Sequence, residues 1–161
     1  MEEAIIKTAA LTLSSFTFIT YLAFSYSKMG ITKSISDSFM HHKEGDRKYF
    51  PLFTNLMALP LVVFCIDKPI LLIAIFLIAL IGAFPYLSNK KVKTIHLITA
   101  GLGVFLFLFG IWHYHKVMYP LVITVAAGIL LLAFNIKNKL YIGEVITFIL
   151  IALFLFTTIV Y

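Results

Sequence analysis

Six long apolar segments occupy most of the 161 residues, and they restrict the fold before any motif is considered. They run over residues 4–26, 49–66, 69–87, 94–112, 117–134 and 140–161. A helix needs roughly 20 mostly apolar residues to cross the hydrocarbon core of a bilayer. Charged residues make up only 12% of the chain and hydrophobic ones 61%, where a soluble domain carries roughly a quarter charged. The expected fold is therefore all-α: a single transmembrane domain of six spans in up-and-down order, with one longer loop at residues 27–48. Backbone polar groups in lipid must be satisfied within the segment, which makes each span a helix.

Proline and turn residues mark the ends. Pro51 and Pro69 fall near helix starts, where a missing N–H costs nothing. Pro60 and Pro85 fall inside segments and should kink or end them. Asp67-Lys68-Pro69, residues 88–91 and residues 135–138 read as tight turns. Gly101, Gly103 and Gly110, with Ala126-Ala127-Gly128, read as small residues that let helices approach closely in lipid.

Charge sets the expected orientation. Lys28, Lys33, Lys43, Arg47, Lys48, Lys90, Lys91, Lys93, Lys137 and Lys139 fall on one side of a six-span chain; Lys7, Lys68 and Lys116 fall on the other. Loops rich in Lys and Arg stay in the cytoplasm. Both termini are expected outside and the first loop inside, in a bacterial cytoplasmic membrane. The acidic start, Met1-Glu2-Glu3, does not resemble a cleavable signal peptide. The basic residues sit at span ends, which argues against a nucleic-acid partner. The single cysteine, Cys65, excludes an internal disulfide and reads as a small packing residue.

Ionisable groups within spans are costly and mark candidate sites. His96 and Glu144 each lie about a turn in from the cytoplasmic end of their spans, at similar depth. Asn55 joins them. Ser14, Thr17, Tyr21 and Ser25 share one face of the first span. Tyr21, Ser25, Asn55, His96 and Glu144 thus define an expected polar pocket facing the cytoplasm, lidded by Ser36, Asp37, Ser38 and the residues up to His42. The competing reading has His96 and Glu144 snorkelling separately to the headgroups, and the first loop forming only an interfacial helix. A direct His96–Glu144 hydrogen bond is the simplest pairing. His41 or His42 with His96 and a carboxylate would make an open three-ligand zinc site. Trp112, His113, Tyr114, His115 and Tyr119 read as an aromatic belt at the outer interface.

The run Ser34-Ile35-Ser36, Ser38, His42, Asp46-Arg47 and Phe50, followed by a span, resembles the motif of an uncharacterised group of bacterial six-span membrane proteins. That group also has a histidine opening a later helix, which His96 matches. The group is remotely similar to DRAM/Frag-type membrane proteins. A fainter similarity is to the CREST superfamily, the alkaline ceramidases and progestin/adiponectin receptors. Its members use a Ser, an Asp and three His around zinc to cleave lipid amides; Ser38 and His42 match its serine–histidine spacing. CREST proteins have seven spans and a paired histidine motif in the last, where this chain has Glu144.

Three functions compete at this level. The first is a non-catalytic multi-pass protein that binds membrane lipid, or another membrane protein, through the inner pocket. The second, implied by the CREST resemblance, is a zinc-dependent intramembrane lipid hydrolase. The third is a small proton-coupled transporter titrating at Glu144.

Overall fold

The computed structural model describes residues 2–35, 49–82, 90–134 and 136–160. These residues form six α-helices: α1 (Glu2–Met29), α2 (Tyr49–Ala58), α3 (Pro69–Leu80), α4 (Lys90–His115), α5 (Tyr119–Ala133) and α6 (Lys139–Val160). No strand occurs among them. The protein is all-α, and three of its helices are long and apolar enough to cross a membrane: Glu2–Met29, Thr94–His115 and Lys139–Ile159.

The other three apolar segments are shorter than the sequence suggests. Pro60 ends α2 at Ala58, and the chain continues as a 3₁₀ helix over Leu59–Phe64. That tighter winding rises more per residue, so Tyr49–Phe64 reaches about 27 Å despite its sixteen residues. α5 has Pro120 in its first turn and ends at Ala133 after 15 residues, about 22 Å and short of the ~30 Å hydrocarbon core. α3 is described to Leu80, and Pro85 lies outside the described residues. Pro69 occupies the first turn of α3 as expected. In the turn before it, Lys68 Nζ lies 2.9 Å from Asp67 Oδ1, and this hydrogen bond holds the Asp67 carboxyl below the usual carboxylate range.

Helix ends follow from local chemistry. Gly30 takes φ +69° just past α1 and donates its N–H to Tyr26 O at 2.8 Å, an αL cap that glycine adopts without a Cβ penalty. Lys116 closes α4 in the same conformation, with its N–H on Trp112 O.

Packing is uneven, and the site depends on that. α3 and α4 form the most extensive contact, because Gly103 and Gly110 allow close approach: a Cβ on Gly110 would come within 2.8 Å of Leu71 Cγ. α1 packs on α2, on the 3₁₀ segment and on α6, and α5 packs on α6. Ser14 ties α1 to α2, its hydroxyl donating to Met57 O at 2.6 Å. Phe50, Phe53, Leu71, Ala74, Ile75, Phe107, Ile111 and Phe154 fill the core. Large apolar side chains also cover the outside, with Phe16, Phe76, Ile98 and Phe134 all exposed. Helices that are apolar on both faces belong in lipid. α4 and α5, joined by a turn of three residues, barely touch.

Candidate functional site: an apolar cleft with a polar end

The gap between α4 and α5 is one side of a cleft of about 660 Å³. α6 forms its other wall, and Phe53 of α2 and Ile78 of α3 close its base. Its lips are apolar and exposed: Phe105 on α4 at 55%, Val125 and Leu132 on α5 at 53% and 64%. Along α4 the lining runs from His96 to Leu108, about 18 Å of helix.

Glycine makes the space. Gly101 on α4 and Gly128 on α5 both line the cleft, and a Cβ on either would meet nothing within 4 Å. Gly143 on α6 lines it too, with only Leu131 in ordinary contact distance. The expectation that Gly101 and Gly128 serve helix packing is therefore corrected. Their missing side chains leave the groove open, whereas Gly103 and Gly110, on another face of α4, do the packing.

One end of the cleft is polar. His96 lines it, 1% exposed, with its ring 6.4 Å from that of Phe50. Glu144 and Lys139 of α6 line it as well. Glu144 Oε2 accepts a hydrogen bond of 2.6 Å from the backbone N–H of Ile35. Two more bonds fasten the same stretch to the start of α6: Tyr141 N–H donates to Lys33 O at 3.1 Å, and Asn138 Nδ2 to Ile31 O at 3.3 Å. Thr32 donates to Ser34 O at 2.7 Å, turning the segment inward, and Ile35 lines the cleft. The end of α1 is thus strapped across the mouth of the groove. The Glu144 carboxylate is held by a chain segment from the other end of the sequence.

His96 and Glu144 come together in this lining; Tyr21, Ser25 and Asn55 do not. Tyr21 is buried against α2, stacked on Phe53 with ring centroids 4.1 Å apart. Ser25 is buried beneath it on α1, and its hydroxyl has no hydrogen-bond partner among the described residues. Asn55 Nδ2 donates to Pro51 O at 2.8 Å, satisfying a carbonyl of its own helix. Ser36, Asp37, Ser38, His41 and His42 lie outside the described residues. A zinc centre needs three protein ligands. Among the described residues no three His, Cys, Asp or Glu side chains converge to hold a metal ion.

Three threonines in the lining went unnoticed in the sequence. Thr54 and Thr147 bond carbonyls of their own helices, Pro51 O and Gly143 O. Thr124 of α5 has a buried hydroxyl with no partner among the described residues. Polar residues at a spacing of three or four pointed to α1, whereas these come singly from three helices.

The aromatic belt residues cluster at the other end of α4. Phe109 stacks on His113 and meets Trp112 at a tilt, and His115 meets Phe154 edge-on at 5.1 Å. Comparison with protein-family models, with curated proteins and with solved structures returns no match. The functional reading therefore rests on the geometry of the cleft.

Proposed function

We propose that this is a non-catalytic, multi-pass protein of a bacterial cytoplasmic membrane that holds a lipid molecule in the α4–α5–α6 cleft. In this reading the six helices alternate across the bilayer, the termini lie outside, and the strapped end of the cleft faces the cytoplasm. The carrying observation is the groove itself: about 660 Å³, walled mostly by apolar side chains and opened by Gly101 and Gly128, with its ionisable groups His96, Lys139 and Glu144 gathered at one end. That volume is in the range of small-molecule sites, which run from roughly 300 to 1,000 Å³. A transmembrane helix, about 10 Å across, would need a longer and wider trough. A long hydrocarbon chain with one polar end matches both the length and the asymmetry of the lining.

The test is lipid retention. Native mass spectrometry of the detergent-purified protein should show one retained lipid per chain. Gly101→Leu with Gly128→Leu fills the groove without displacing a neighbouring helix, and should abolish the adduct while the helix content by circular dichroism stays unchanged. Retention of lipid in the filled variant would defeat the proposal.

A further inference from the structure

The charges around the mouth of the cleft define the class of lipid, an inference that rests on the lipid-binding reading above. Lys139 lines the cleft at the first residue of α6. Lys137 lies in the turn just before it, and Lys33 is brought beside it because its carbonyl accepts the Tyr141 N–H. All three side chains are exposed, and none of the three ammonium groups has a hydrogen-bond or ion-pair partner among the described residues. The chain's other described ion pairs, Lys7–Glu3 and Lys68–Asp67, show that a lysine here pairs where an acid is within reach. Among the described residues the carboxylate at this end is that of Glu144, and its Oε2 accepts the Ile35 N–H. The positive pole of α6 adds to the same rim, since the first N–H groups of a helix carry its partial positive charge.

We infer that the cleft selects an anionic phospholipid, with its phosphate held at Lys137 and Lys139 and one acyl chain running between Gly101 and Gly128 toward Leu108. A zwitterionic lipid offers the same tail but brings a cation to a rim that is already cationic. Free phosphate shares the headgroup chemistry but has nothing to place in the apolar groove, so the site is committed to the lipid form.

The experiment uses the full chain, delipidated in detergent and titrated separately with phosphatidylglycerol and phosphatidylcholine of matched acyl chains, bound lipid being read by native mass spectrometry. Wild type should favour phosphatidylglycerol. Replacing Lys137 and Lys139 together by Gln should cut that preference by about fivefold per lysine while leaving phosphatidylcholine binding unchanged. Lys116→Gln, at the far end of α4, should leave the preference intact. Inorganic phosphate at matched ionic strength should not displace the lipid. An unchanged preference in the double variant overturns the headgroup assignment and leaves lipid binding standing. So does a phosphatidylglycerol preference that persists in the Gly101→Leu, Gly128→Leu protein, since the headgroup would then be held elsewhere. Displacement by phosphate overturns the commitment to a lipid. Failure of wild type to bind both lipids overturns the two readings together.

Discussion

Glu144 and Ile35 stand 109 residues apart in sequence, yet the carboxylate of one accepts the backbone N–H of the other at 2.6 Å. This contact closes the bundle at its polar end, bringing the chain that leaves α1 onto the first turns of α6. It also explains why an acid sits within an apolar helix: a backbone N–H that has left helical geometry needs an acceptor, and water is scarce there.

Removing that acceptor should loosen the strap. Glu144→Leu is expected to cost about 2 kcal/mol, the worth of a hydrogen bond to a charged group, and to raise the hydrogen-exchange rate at the Ile35 amide. Glu144→Gln keeps a carbonyl oxygen and should retain most of the protection. Equal loss of protection in both variants would show that charge, and not the acceptor, holds the segment.

The glycines of α4 should separate into two kinds. Gly110→Ala forces a Cβ into Leu71, a fully buried side chain with little room to move, and should lower stability by about 1–3 kcal/mol. Gly101→Ala meets open space and should leave the thermal midpoint in detergent unchanged or slightly raised. Matching losses at both positions would contradict the packing described for α3 and α4.

Two buried hydroxyls offer the opposite effect. Ser25 and Thr124 each bury an oxygen without a partner among the described residues, and an unsatisfied buried hydroxyl is destabilising. Ser25→Ala and Thr124→Val should each stabilise the lipid-free protein by about 1 kcal/mol. A marked loss on Ser25→Ala would place a hydrogen-bond partner on its hydroxyl.

Orientation is open to chemical labelling. Cys65 is fully buried, so it should stay unmodified by maleimide in the folded protein and give a silent background. Lys116→Cys should label from outside intact cells, and Lys137→Cys only after permeabilisation. The reverse pattern would invert the proposed topology.

Much of the helical layout was legible because it depends on local rules. Pro60 broke α2, Pro69 opened α3, and the apolar runs predicted α1, α4 and α6 to within a few residues at each end. His96 and Glu144 stand out in the sequence as ionisable groups among apolar neighbours, and both line the cleft. Tyr21 lies on the face of α1 that packs on α2: a polar stripe shows which residues share a face, but not which helix will cover it, and here Phe53 of α2 stacks on Tyr21. The Asn55 amide turns back on its own helix, which residue spacing does not show. Gly101 and Gly128 carried the opposite meaning from Gly103 and Gly110, though the residue type is the same. Whether an absent side chain brings two helices together or leaves a void between them is settled only by what stands opposite.

The sparse contact between α4 and α5 has a kinetic corollary. Under the proposed lipid-binding reading, the opening between α4 and α5 gives an acyl chain a lateral route between the cleft and the bilayer. Its turnover should then follow the fluidity of the surrounding acyl chains, slowing when the bilayer gels and indifferent to the viscosity of the buffer.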